Sequence, residues 1–167
     1  MKAEYLKPFI ESITEVFESM LGSPVKVERI GIPDKSSEKP EIIGLIGLSG
    51  SAQGIVAVKL PENTALALIS RMVGADFNSI DSSVIDGVGE LVNIIAGNAK
   101  AKFTGHMMSL SLPTVVRGSI YKLKSLEDFI WIAVFFESEF GKFSMEVSFK
   151  PAKTWEKESA NAGVNSR

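Results

Sequence analysis

The sequence has no cysteine and, in 167 residues, a single histidine. The first absence excludes disulfides, thiol nucleophiles and thiolate metal sites, and it fits a reducing cytoplasm. His106 has neither Cys nor a carboxylate pair nearby in sequence, so nothing assembles a metal site or a triad around it. It reads as a loop or packing residue. Long apolar runs are missing too, since none reaches the roughly 18 residues of a membrane span. The opening Met-Lys-Ala-Glu-Tyr-Leu-Lys-Pro lacks the apolar core of a signal peptide. Charge is nearly balanced, 18 Lys+Arg against 20 Asp+Glu for a net charge of -2, without the basic patch of a nucleic-acid binder. Gly44 and Gly47 lack the Gly-Lys-Ser/Thr of a phosphate loop, and Ser109 and Ser111 lack a G-x-S-x-G setting. The expectation is a soluble cytoplasmic protein with neither membrane nor nucleic acid among its partners.

What is present fits one domain with a sizeable core: 45% hydrophobic and 23% charged residues. Phe9, Ile13, Val16, Phe17, Met20 and Leu21 recur at helical spacing until Gly22 and Pro24 stop the helix. Val25 to Ile30 reads as a strand, and the polar stretch from Gly31 to Pro40, with Lys35, Glu38 and Lys39, as a solvated loop. Ile42–Leu48 and Gly54–Leu60 flank a Ser-Gly-Ser-Ala-Gln turn, which predicts a β-hairpin. Pro61 opens a second helix that runs to Gly74. Ser82 or Ser83 caps a third helix, expected to reach about Phe103, and Ser83-x-x-Asp86 resembles a capping box. Three strands follow, Thr114–Tyr121, Asp128–Glu137 and Lys142–Lys150. The last alternates Phe143, Met145, Val147 and Phe149 against Ser144, Glu146 and Ser148. Phe129–Phe136 is apolar on both faces and predicts a central, doubly covered strand. The reading is an α+β fold, an approximately six-stranded, mainly antiparallel sheet with three helices packed on it. It occupies residues 1–152, and residues 153–167 read as a flexible tail.

The third helix carries the chemistry. At about 100° per residue, Asp86, Glu90, Asn93, Gly97 and Lys100 form one narrow stripe, while Val84, Val88, Leu91, Val92, Ile95 and Ala99 form the opposite arc. An ordinary amphipathic helix would show such a polar face to water. Three glycines within it, Gly87, Gly89 and Gly97, are unusual, because glycine weakens a helix and lets another backbone approach. Ile94 projects beside Glu90 as an apolar edge. A polar centre, a glycine gap and an apolar margin suit a surface that meets a partner. Glu90 and Asn93 offer an acidic acceptor beside a neutral amide, which can grip a cation and orient a water but cannot serve as nucleophile or hold a metal unaided. Met107-Met108 reads as packing near the helix end, and Arg117 as a surface or loop-fixing residue.

Three stretches together resemble a known family: Asp86-x-x-Gly89-Glu90-Leu91-x-Asn93-x-x-x-Gly97, Gly47-Leu-Ser-Gly50 with Gly54, and Ser111-Leu-Pro-Thr-Val-Val-Arg-Gly118. With the opening Met-Lys-Ala-Glu-Tyr-x-x-Pro-Phe-Ile, they resemble the CheC/CheX/FliY chemotaxis phosphatases, CheX-type members most closely, over roughly residues 1–150. The resemblance implies a phosphatase that dephosphorylates the phosphoaspartate of a CheY-like response regulator. It implies that Asn93 positions the attacking water and Glu90 meets the receiver's active-site lysine. Asp86, Ile94, Gly97 and Lys100 are the candidate partner contacts. CheC-type members have two such helices and this chain one, so the resemblance implies a CheX-like homodimer. No metal or other cofactor of its own is expected, and Mg2+ is expected in the receiver's active site. The alternative is a non-catalytic module that binds a phosphorylated receiver or a flagellar switch partner.

Overall fold

Hydrophobic alternation and short turns build one antiparallel sheet. The computed structural model describes residues 5–33, 42–118 and 130–152. In chain order these form α1 (Lys7–Val16) with a π-helical turn (Phe17–Leu21), β1 (Val25–Gly31), β2 (Ile42–Gly50), β3 (Ala52–Leu60), α2 (Glu62–Val73), α3 (Ser82–Lys102), β4 (Met108–Leu110), β5 (Thr114–Arg117), β6 (Trp131–Ser138) and β7 (Gly141–Pro151). The sheet order is β1-β6-β7-β3-β2-β4, with β5 also pairing β2. Every pairing is antiparallel. The expected loop around Lys35, Glu38 and Lys39, the ends of two expected strands (119–121 and 128–129) and the tail lie outside the described residues.

Gly44 of β2 pairs with Val58 of β3, and Val58 with Met145 of β7. This row lies on the sheet face that receives the helices. Phe143, Met145, Val147 and Phe149 share that face with Ile13, Phe17, Leu68, Val92 and Ile95 in one core. Phe17 stacks on Phe143 with ring centroids 5.3 Å apart, and Phe143 on Phe136 at 5.0 Å. Aromatic contacts of this kind add about 0.5–1.5 kcal/mol beyond the area they bury.

The fold departs from the sequence expectation in several places, each for a local reason. Among the described residues the sheet has seven strands, where the sequence suggests about six. The stretch after α3 supplies β4, whose three residues pair only with Leu48–Gly50. The helix cap falls on Asp81, not on Ser82 or Ser83. Its backbone is extended and its carboxylate accepts the Val84 N–H at 3.0 Å, so both serines are already helical and no capping box forms. The first helix widens into its π-helical turn before Gly22, at φ 64, ends it in the left-handed region. The second sheet face is also less polar than the β7 alternation suggests. Ile43, Ala57, Ala133 and Ser148 are buried on it. Glu146, 5% exposed, forms an ion pair with Lys59. Trp131 Nε1 and Ser148 Oγ, carried by register partners, are buried with no hydrogen-bond partner among the described residues.

Candidate functional site

α3 runs 21 residues, about 30 Å at 1.5 Å per residue. It is gripped from several directions, and each grip uses a small residue. Towards the sheet, Gly44 lets Val92 approach so closely that an added Cβ would stand 3.1 Å from its side chain. Towards α2, Gly87 leaves room for Ile69, whose Cγ2 would lie 2.6 Å from a Cβ at that position. Towards α1, the fully buried Ser12 donates its hydroxyl to the Ile95 carbonyl at 2.7 Å. Beside the β5 edge, Gly89 faces Val115 and Pro113. Arg117, in the loop-fixing role expected of it, donates to the Ile80 carbonyl at 3.0 Å and holds the segment leading into α3. The buried arc includes Val84, Val88, Leu91, Val92, Ile95 and Ala99, as the helical spacing predicts.

One stripe of α3 is left free. Asp86, Glu90, Asn93 and Lys100 are exposed, and Gly97 is partly so. Among the described residues none of these side chains makes a hydrogen bond or an ion pair. Glu90 and Asn93 sit one turn apart on one face, as an i, i+3 pair must. Ile94 differs from the expected apolar edge, because it is half-buried and packs partly on the core. The three glycines divide by cause. Gly87 is explained by Ile69, Gly89 lies under Pro113, and only at Gly97 would a Cβ meet nothing within 4 Å.

Other residues singled out in the sequence fall into structural places. Met108 is buried under the end of α3, whereas Met107 beside it is exposed. His106 is half-buried in the loop after α3, where its N–H donates to the Phe103 carbonyl. Ser111 Oγ accepts the Gly47 N–H at 2.9 Å and donates to the Leu112 carbonyl at 2.8 Å. Leu112 itself stands 87% exposed next to the site. Nothing in the sequence pattern distinguishes it from a core leucine. Among the described residues no group of His, Cys, Asp and Glu could hold a metal ion, and no helix is long and apolar enough to cross a membrane.

An unengaged carboxylate–amide pair, on a helix braced against an antiparallel sheet, can be compared with known proteins. Residues 42–137 match the model of the chemotaxis phosphatase CheX family. The CheY-P phosphatase CheX of Thermotoga maritima is 30% identical over 151 residues, covering 84% of this chain and 94% of that protein. The chemotaxis protein CheX from Vibrio vulnificus superposes with a TM-score of 0.80 at 27% identity, over 89% of this chain and 100% of that one. A CheC-like superfamily protein from Shewanella sp. PV-4 gives 0.80 at 28% identity, over 90% and 99%. The fold is therefore that of the CheC/CheX/FliY group, an α+β domain with its helices on one sheet face. Within that group the chain belongs to the CheX family of chemotaxis phosphatases.

Proposed function

We propose that this protein hydrolyses the phosphoaspartate of a CheY-like receiver, with Asn93 orienting the attacking water and Glu90 contacting the receiver's active-site lysine. The observation that carries the reading is the pair itself: exposed, unengaged, one turn apart, on a helix fixed along its buried sides. The CheY-P phosphatase activity named for the Thermotoga maritima relative supports the substrate class.

The chemistry suits these side chains. The Asn93 carboxamide oxygen accepts a hydrogen bond from water and turns an oxygen lone pair towards phosphorus. The new O–P bond forms as the P–O bond to the aspartyl carboxylate breaks. The carboxylate leaves with the electron pair, and the water's proton passes to the departing orthophosphate. A neutral amide does this without repelling the phosphoryl oxygens, and in phosphoryl transfer orientation and electrostatics account for most of the rate. The receiver's own divalent ion, expected to be Mg2+, and its lysine supply charge neutralisation. Glu90 against that lysine sets the register through a charge-assisted contact. Asp86, Gly97 and Lys100 complete the contact stripe, with the exposed part of Ile94 at its margin, and Gly97 leaves room for the receiver's backbone.

The reading includes a homodimer. Ile30 on β1, Ile32 just beyond it and Ile130 just before β6 are all exposed, apolar surface of the kind a second copy would cover. The decisive experiment is phosphate release from a purified phosphorylated CheY-like receiver by this chain and by Asn93→Ala. The parent should accelerate release, and the variant should lose about 10²-fold or more of that acceleration while still binding. Equal rates would sink the mechanism. Receiver binding by the parent without accelerated release would indicate a binding module instead.

A further inference from the structure

We infer that Leu112 is an apolar anchor for the receiver, seated beside Asn93 on a loop whose backbone is fixed in advance. The inference rests on the receiver-phosphatase reading and adds a specificity contact outside the helix stripe.

The placement follows from register. β5 runs alongside α3, with Arg117 tied to Ile80 before the helix begins and Val115 and Pro113 lying over Gly89. Following the chain back from Arg117 to Pro113 thus travels along α3 from its start towards its middle. Leu112 is the next residue in that direction, and Ser111 is already bonded to Gly47 further along β2. On α3, Asn93 lies one turn beyond Gly89 and about 40° around the axis. The Leu112 loop therefore borders the stripe on the Asn93 side, whereas α2, packed at Gly87, borders it on the Glu90 side.

The loop is not a loose excursion. Ser111 makes three bonds: its N–H donates to the Gly47 carbonyl at 2.9 Å, and its hydroxyl accepts from the Gly47 N–H and donates to the Leu112 carbonyl. Pro113 fixes its own φ on the other side of Leu112. Leu110 and Val115, which flank this turn, pack partly on the core. Leu112 alone is directed outward, at 87% exposure. An isolated exposed leucine needs no explanation in general. This one stands on a backbone fixed by Ser111, next to Pro113, which lies beside Gly89 one turn before the free amide of Asn93. Interfaces place such preorganised side chains where they fill a partner's pocket and exclude water around the polar contacts. The occupant is the receiver, because its phosphoryl centre must come to Asn93 and its flank must then cover Leu112.

Steady-state phosphate release from a CheY-like receiver, phosphorylated with acetyl phosphate, tests this with Leu112→Asp and Leu112→Ser. Both act on an exposed side chain, so the melting midpoint should hold. Leu112→Asp should raise KM about tenfold or more, with the smaller change confined to kcat. Asn93→Ala should show the reverse split. An unchanged KM in both Leu112 variants, with an active parent, overturns the inference and leaves the phosphatase reading intact. A changed oligomeric state with unchanged KM also overturns it, because Leu112 would then belong to a contact between copies. If the parent binds receiver without turning it over, and Leu112→Asp loses that binding, the anchor stands and the catalytic reading falls.

Discussion

Asn93 and Glu90 project from a helix whose buried face is full, so their side chains contribute little to folding. Replacing Asn93 by Ala should leave the unfolding free energy from urea denaturation within about 0.5 kcal/mol of the parent, as for surface positions generally. Asn93→Asp is the sharper chemical probe. It preserves shape but sets a carboxylate against the phosphoryl oxygens, and phosphate release should fall as far as in Asn93→Ala. The glycines of the same helix should separate in the opposite way. Gly87→Ala forces a methyl against the fully buried Ile69 and should cost about 1–3 kcal/mol. Gly97→Ala meets open space and should stabilise by about 1 kcal/mol through helix propensity. If Gly97 is kept for the receiver's approach, the more stable variant will be the poorer phosphatase, and paired denaturation and phosphate-release assays will show it.

At the scale of elements, α3 shows what the sequence makes legible. Its buried arc follows from period alone, since Val84, Val88, Val92, Ile95 and Ala99 repeat at three- and four-residue intervals. The hairpin of β2 and β3 was equally readable, because two apolar runs flank a turn of small residues. A glycine inside a strand, such as Gly44, allows a close approach, but the side chain that approaches, Val92, lies far along the chain and no local pattern names it. Asp81 is not legible as the cap because it precedes two serines of equal capping propensity, and only backbone angles decide between them. β4 was illegible because three residues show no alternation, and its pairing partner, not its composition, makes it a strand. Leu112 is illegible for a related reason: exposure is decided by the turn, whereas sequence reports only hydrophobicity.

At the scale of the whole molecule, the sheet has one face committed to helices and another that is buried around an ion pair. Glu146 and Lys59 face each other there, with Glu146 almost wholly enclosed. Glu146→Ala removes a charge-assisted contact to Lys59 from a largely enclosed setting and should cost about 1–3 kcal/mol in chemical denaturation. Phosphate release at permissive temperature should survive the change, because the pair lies across the sheet from α3. The margin of β1 is a separate matter. Ile32, just beyond β1, is 81% exposed, and burial by a second copy would relieve it. Light scattering should find a dimer for the parent and a shift towards monomer for Ile32→Lys. Because each chain has its own α3, the specific activity per chain should change little.

The amide proposed for catalysis is exposed on the free face of α3, and a Cβ at Gly97, one turn further along, would meet nothing within 4 Å. Since the proposed reaction borrows its metal ion and lysine from the receiver, a free acyl phosphate should be hydrolysed no faster with this protein than without it. For the same reason an antagonist would have to imitate a folded receiver surface and not a small metabolite.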